Sequence, residues 1–447
     1  MGKYFGTDGI RGIANTELSA ILAARVGFAA AVAVGAATGR PPRVIIGKDT
    51  RISGDMIEAG LSAGLSAGGA DITQLGILPT PAVAFLARVR KSDLGIVISA
   101  SHNPFEHNGI KFFSGDGYKL SDRLEAEIER LADSPDELRT FAKTHGQIGR
   151  IRRDEHSDEK TYIDWLLSYG TEDLTTLRVA VDCANGAAYR TARVLFARLG
   201  ISADVFFDEP NGVNINDGCG STHLNALRGL MDGGGYDAGV AFDGDADRCL
   251  FLDESGGEID GDAVLAVCAD DMLSRGELDG GLVVGTVMTN SGFREYADAR
   301  GLTLLISDVG DRSVLELMKS SGAVLGGETS GHTIFHSDAT TGDGELTAVK
   351  FLSVLARSGK KASELAAIFP KYPQVIVNVS VDNAAKPTVM RSEPLLNAVA
   401  DAESKLAGRG RVLVRPSGTE PLIRVTVEAP TREYAESLAN KIAAAIA

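Results

Sequence analysis

Apolar residues in this chain fall in short runs that alternate with longer stretches of helical periodicity. From Arg43, RVIIGKDTRISGDMIEAGLSAGLSAGGADITQLGI reads as strand, Gly-containing loop, amphipathic helix and second strand. The same order recurs from Arg178 (RVAVDCANGAAYRTARVLFARLGISADVFF) and from Leu282 (LVVGTVMTNSGFREYADARGLTLLIS). Apolar runs flanked by Gly and joined through helical patterns of about 10–15 residues predict βαβ units in a parallel sheet. The tail differs. Its pattern predicts strands over 375–381, 411–414 and 423–428 and helices over 393–406 and 434–446, a compact α+β unit, with Pro370 and Pro373 as linker. The expected fold is three related mixed α/β domains, over residues 1–155, 156–255 and 256–370, followed by a C-terminal α+β domain over 371–447.

Composition agrees with several folded domains. The chain has 447 residues, 44% hydrophobic and 23% charged, and single cores seldom grow beyond ~250–300 residues. The formal net charge of −15 disfavours nucleic acid and anionic membranes as partners. An anionic substrate must then be met by locally gathered Arg, Lys and backbone N–H groups. Cys183, Cys219, Cys249 and Cys268 form no CxxC pair, so neither zinc site nor disulfide framework is signalled. The stretch Ala20 to Gly39 is apolar but rich in Ala and Gly and carries Arg25, which predicts a buried helix of a soluble protein rather than a membrane span. The start, MGKYFGTDGIRG, has no apolar signal-peptide core. The expected compartment is the cytoplasm.

Four segments carry candidate chemistry. The run Leu94–Ile98 predicts a buried strand ending in Ser99-Ala-Ser101-His102-Asn103-Pro104, with Asn108-Gly109-Ile110-Lys111 beyond it. Ligands of open α/β sheets bind past the carboxyl ends of strands, and Ser101 is a nucleophile that His102 or Lys111 could polarise. The plainer alternative is a turn whose Ser, Asn and Pro serve backbone geometry. Asp243, Asp245 and Asp247, followed by Arg248, alternate in a tight loop and can converge on one hard cation. An EF-hand is excluded because its glycine position is Arg248 and the flanks read as strands. Three carboxylates leave room for a phosphate oxygen, which suits Mg²⁺, and a solvated acidic turn is the alternative. Gly326-Gly-Glu328-Thr329-Ser330-Gly-His332 can approach a ligand closely and offers partners for hydroxyls, and an ordinary Gly-rich turn is the alternative. Arg415-Pro-Ser417-Gly418-Thr419-Glu-Pro, with Arg424 after it, can grip phosphate, or can be a hairpin loop with an exposed Arg. Near the start, GTDGIRG offers Arg11 as a supporting phosphate or loop contact, with an ordinary exposed loop as the alternative.

Taken in order, GTDGIRG (6–12), ISASHNPFEHNGIKFF (98–113), DGDADR (243–248), GGETSGH (326–332) and RPSGTEP (415–421) resemble the α-D-phosphohexomutase superfamily over essentially the whole chain. The nearest branch is the one acting on glucosamine phosphate, from which Thr329 (usually Gln) and His107 (commonly Asp) depart. The resemblance implies four domains around a central cleft, each giving one loop. It implies a phosphoserine at Ser101 and Mg²⁺ held by Asp243, Asp245, Asp247 and the Ser101 phosphoryl group. Glu328 and Ser330 would grip sugar hydroxyls, while Arg415, Ser417, Gly418 and Thr419, with Arg424, would bind the phosphate that is not transferred. Lys111, His332 and Arg248 match positions of proton transfer or charge stabilisation, and Arg11, His102 and Asn103 would support them. The expected reaction interconverts glucosamine 6-phosphate and glucosamine 1-phosphate, primed by a hexose bisphosphate and feeding UDP-N-acetylglucosamine. Mannose or glucose phosphate is the alternative substrate, and phosphosugar binding without turnover the alternative class. Monomer and homodimer both fit the sequence.

Overall fold

The computed structural model describes residues 3–6, 8–154, 156–417 and 421–446. The chain divides into two compact units, residues 1–287 with 305–366, and residues 288–304 with 367–447.

The first unit holds two of the three predicted strand–helix–strand segments whole, and the helix of the third, Ser291–Arg300, falls in the second unit. Strands Arg43–Lys48 and Asp71–Ile77 flank helix Ser53–Ala67 and pair in parallel. Strands Arg178–Asp182 and Ser202–Phe206 flank helix Thr191–Arg198 and do the same. A sheet of seven strands runs in the order Phe5–Gly6, Gly9–Ile13, His107–Ser114, Leu94–Ile98, Arg43–Lys48, Asp71–Ile77, Ile151–Arg153. A second sheet has the order Glu258–Ile259, Cys249–Asp253, Ala238–Phe242, Arg178–Asp182, Ser202–Phe206. A third contains Leu282–Thr286, Leu325–Gly327 and Thr333–Phe335, with Thr303–Ser307, where the chain re-enters this unit, beside the first.

The sheets are mixed, not parallel as the pattern predicted. Leu94–Ile98 pairs antiparallel with His107–Ser114, Ala238–Phe242 with Cys249–Asp253, and Leu325–Gly327 with Thr333–Phe335. Each motif of the first unit therefore caps a hairpin at the end of a central strand. Burial on both faces makes a strand continuously apolar whichever way its neighbour runs, so the pattern carried no direction.

Helix Ala20–Thr38 is long and apolar enough to cross a membrane, yet it is packed inside the unit. A Cβ on Gly27 would lie 2.5 Å from the Leu61 carbonyl oxygen, and one on Gly64 would lie 1.9 Å from that of Ala24. Its small residues thus let it close against helix Ser53–Ala67. Ala23, Val26, Ala30, Ile57 and Leu61 are all buried in that core.

The second unit is a three-stranded antiparallel sheet, Gln374–Ser380, Leu422–Glu428, Arg411–Pro416, with helices Glu393–Leu406 and Arg432–Ala444. These elements lie within two residues of the sequence expectation. Helix Ser291–Arg300 belongs to the same unit. The buried Glu428 carboxylate accepts from Ser291 N–H (3.0 Å) and Oγ (2.9 Å) and pairs with Arg411 at 2.6 Å.

Candidate active site

The strand Leu94–Ile98 is wholly buried and delivers the loop 99–106 to its carboxyl end. Ser101 is buried there with φ +53, a left-handed conformation costing a non-glycine residue of order 1–2 kcal/mol. Its Oγ donates to Asp243 Oδ2 at 2.6 Å and lies 3.3 Å from His102 Nδ1. Close approach of the two loops requires Gly244, since a Cβ there would fall 2.6 Å from the Ser101 carbonyl oxygen.

Asp243, Asp245 and Asp247 each offer a carboxylate oxygen within 4.8 Å of the others, and all three are buried. Burial pushes the Asp243 carboxyl up to about 8, and the charges on Asp247 and Asp245 add to it. Asp247 is also penalised by burial, but Lys111, His332 and Arg248 hold it far below the carboxylate range. Oδ1 of Asp245 is buried with no hydrogen-bond partner, whereas Oδ2 accepts from Thr80 Oγ1 (2.6 Å) and from Lys111 Nζ (2.8 Å). A converging trio of buried carboxylates, in which Oδ1 of Asp245 and Oδ1 of Asp247 both lack a hydrogen-bond partner, fits a small hard cation.

Lys111 is fixed by charge: besides Asp245 it sits 3.2 Å from Asp8 and 3.7 Å from Asp247. Burial disfavours its ammonium, yet Asp245 and Asp8 drive its pKa well above the ordinary lysine value. The surrounding carboxylates favour its charged form. Asp8 also pairs with Lys119 at 2.6 Å, which bridges to Asp311 at 2.5 Å. His332 accepts from Gly342 N–H at 3.2 Å through Nε2, leaving Nδ1 toward Asp247 at 3.7 Å. Burial lowers the His332 pKa, but Asp247 outweighs it and the net shift is upward. His102 moves the other way, to about 4, through burial and the charges of Arg248 and Arg11.

Ser101, His102, Asp247, Arg248, Arg11, Glu328, Ser330 and His332 line one cleft of about 580 Å³. Glu328 accepts from Gly310 N–H at 3.0 Å. Thr329 points elsewhere, its hydroxyl donating to Asp262 at 3.0 Å. Asn103 contributes its carbonyl, which accepts from Asn216 at 3.1 Å. In the second unit Arg415 and Arg424 stand directly opposite on adjacent strands, which gathers two cations at one place in that sheet. Lys386 Nζ donates to the Ser417 carbonyl at 2.6 Å, adding a third cation. Gly418 and Thr419 lie outside the described residues.

Sequence reasoning passed over Thr80, Lys119 and Asp311, as well as Asp8 as a distinct participant. Asp8 stood within GTDGIRG beside the noted Arg11, and Gly310-Asp311 follows a strand end, so both had a readable signal. Thr80 and Lys119 had none, being ordinary polar residues far along the chain from their partners.

A buried serine hydroxyl against a trio of carboxylates that could hold a metal, with an ammonium beside it and polar groups across a cleft, is an arrangement suited to phosphoryl transfer. Sequence models of the phosphoglucomutase/phosphomannomutase domains match in succession: alpha/beta/alpha domain I over residues 2–139, domain II over 160–257, domain III over 260–372 and the C-terminal domain over 376–445. The chain belongs to the phosphoglucomutase/phosphomannomutase family. The phosphoglucosamine mutase of Acetivibrio thermocellus is 47% identical, covering 99% of this chain and 98% of its own. That of Moorella thermoacetica is 50% identical over 98% of both. Among solved structures, a phosphoglucomutase/phosphomannomutase family protein from Burkholderia thailandensis superposes with a TM-score of 0.82 at 26% identity, covering 100% of this chain and 98% of the other. The N-acetylphosphoglucosamine mutase of Aspergillus fumigatus, crystallised with GlcNAc-6P and magnesium, shares the fold with a TM-score of 0.65 at 19% identity, covering 100% and 96%.

Proposed function

We propose that this chain interconverts glucosamine 6-phosphate and glucosamine 1-phosphate through a phosphoserine at Ser101 and a bisphosphorylated sugar. The observation that carries the reading is the 2.6 Å contact of Ser101 Oγ with Asp243 at the rim of the carboxylate trio. Full-length similarity to phosphoglucosamine mutases supports the choice of sugar.

Asp243, Asp245 and Asp247 would hold Mg²⁺, together with an oxygen of the phosphoryl group on Ser101. Bound there, the cation supplies neutralisation of charge on the transferring group. The chain's own residues do the rest. Phosphorylated Ser101 passes its phosphoryl group to the free hydroxyl of the bound sugar phosphate: the bond from phosphorus to Oγ breaks as the bond to the sugar oxygen forms. The proton leaving that hydroxyl must be taken up in the cleft, and Oγ must regain one. His102, neutral near pH 7 and 3.3 Å from Oγ, can accept a proton, whereas Lys111 stays charged and steadies the developing anion. The bisphosphate then turns end for end and returns its other phosphoryl group to Ser101. Arg415, Ser417, Gly418, Thr419 and Arg424 would hold the phosphate not being transferred, with Glu328 and Ser330 on the sugar hydroxyls. A trace of hexose bisphosphate primes the cycle.

The test is a panel of glucosamine, glucose and mannose phosphates, each with Mg²⁺ and a trace of the matching bisphosphate. Glucosamine phosphate should give the highest kcat/KM, with weaker turnover of glucose phosphate. A tenfold preference for glucose or mannose phosphate would overturn the sugar assignment, and turnover of none would favour a binding protein.

A further inference from the structure

The left-handed turn at Ser101 is imposed from behind. Arg51 Nη2 donates to the carbonyl oxygens of Ser101 (3.0 Å) and Asn103 (2.5 Å). Asn216 Nδ2, from a segment over a hundred residues away, donates to the same two oxygens at 3.0 and 3.1 Å. Arg51 is itself tied down, since Nη1 pairs with Asp49 and its N–H donates to Asp49 Oδ1 at 3.0 Å. Asp49 N–H in turn donates to the carbonyl of Ile98, the last residue of the strand that carries the serine loop, at 3.0 Å. The flanking residues stitch the same segments together: Thr50 Oγ1 donates to the Asn185 carbonyl at 2.6 Å, and Ile52 N–H to that of Gly212 at 2.9 Å. Asp49, Arg51 and Asn216 are all buried, and neither Arg51 nor Asn216 lines the cleft.

Two donors converging on two consecutive-turn carbonyls do more than satisfy them. One donor would leave the loop free to pivot about a single bond, whereas shared pairs fix both its position and its tilt. We infer that Arg51 and Asn216 are positioning residues for phosphoryl transfer, clamping the backbone of the serine loop so that Ser101 Oγ faces Asp243. The inference rests on the mutase reading. It goes further by assigning part of the rate to two side chains that touch no substrate. Misplacement of a reacting atom by about an ångström is expensive in rate, so the clamp should act on kcat and leave substrate affinity alone.

Asn216→Gly is the cleaner variant, because Asn216 itself has φ +59 and glycine keeps that backbone while deleting the amide. Arg51→Lys keeps a cation against Asp49 but cannot fork to both carbonyls. Each should lower kcat tenfold or more with KM for the sugar phosphate within threefold, and each should slow transfer of label from bisphosphate to Ser101 to the same extent. The double variant should lose less than the product of the singles, because both serve the same two oxygens. Circular dichroism and thermal melts check that the variants are folded. If Arg51→Lys fails to fold, Asn216→Gly alone decides. Wild-type turnover with kcat within twofold in the folded variants, or a raised KM with kcat unchanged, overturns the clamp. An inactive wild type on every sugar overturns the mutase reading instead.

Discussion

Ser101, Lys111 and the aspartates at 243, 245 and 247 are buried, whereas Arg11 and Ser330 on the same cleft are exposed and Glu328 and Arg248 only half-buried. The floor is crowded with charge that has few ways to relax: Lys111 has three carboxylates within 3.7 Å. The rim is sparsely partnered, with Glu328 steadied by one backbone N–H. Charge held at low dielectric acts strongly and without reorganisation when a phosphoryl group moves. Solvated rim groups exchange water for sugar at little net gain and release product readily. The difference teaches which parameter each region controls. Floor substitutions should fall on kcat, rim substitutions on KM.

Ser101→Ala should break the comparison at its deepest point. It removes the proposed carrier, so mutase activity should drop by about three orders of magnitude or more, without loss of fold, and the intact mass should lose any phosphate adduct. Activity retained with phosphate on another residue would overturn the carrier assignment. Asp245→Asn comes next. It keeps shape but removes a charge from the trio, so Mg²⁺ should no longer raise the melting temperature and kcat should fall about a hundredfold or more. Undiminished stabilisation by Mg²⁺ would move the metal elsewhere.

On the rim, Glu328→Gln retains an acceptor for Gly310 N–H while removing the charge. KM should rise about tenfold, ~1.4 kcal/mol, with kcat changed less than KM. A fall in kcat at constant KM would place Glu328 with the floor. In the second unit, Arg415→Ala should likewise raise KM on the proposed reading, in which Arg415 grips the phosphate that is not transferred.

Beneath the floor, helix Gly344–Ser358 begins where Gly344 N–H donates to the Ala246 carbonyl at 2.9 Å, between two of the aspartates. Its Glu345 is fully buried, and burial followed by the Asp343 charge lifts its carboxyl well above 4.5. The folded protein therefore keeps a proton that the unfolded chain releases near that value. Stability is full below about 4.5 and declines as pH rises toward the folded pKa. Glu345→Gln mimics the protonated acid. Its first melting transition should match wild type near pH 4.5 and exceed it by about 2 °C or more at pH 8. Equal melting at both pH values would mean that Glu345 carries no such proton.

The floor was far more legible in the sequence than its supports. Ser101-His102 and the three alternating aspartates cluster incompatible-looking groups in a few residues, a density that ordinary turns do not need. The strand–helix–strand segments were legible because Val, Ile and Leu runs and helical spacing are local. What holds the floor was not. Thr80 reaches it from the start of helix Thr80–Val89, and Arg51 and Asn216 from distant loops; a lone polar residue carries no mark of its partner. Strand direction was lost for the reason seen in the sheets: His107–Ser114 and Cys249–Asp253 are buried on both faces, and an apolar run does not state which way its neighbour points.

Thr329 offers the smallest and most discriminating test. Where the related branch usually has Gln, the shorter hydroxyl donates to Asp262 on helix Gly261–Ser274. The Thr329 carbonyl accepts from Gly261 N–H at 3.0 Å, so backbone and side chain both fasten the loop to that helix. A hydroxyl spent in this way has nothing left to donate to a sugar. Thr329→Val is nearly isosteric and deletes only that bond, whose net worth is ~0.5–1.5 kcal/mol. It should lower the melting temperature slightly while kcat/KM for glucosamine and glucose phosphates shifts by less than about threefold in each case and by the same factor. A change in their ratio would mean that position 329 reads the sugar after all. The rim would then extend one residue deeper than the geometry of Glu328 and Ser330 indicates.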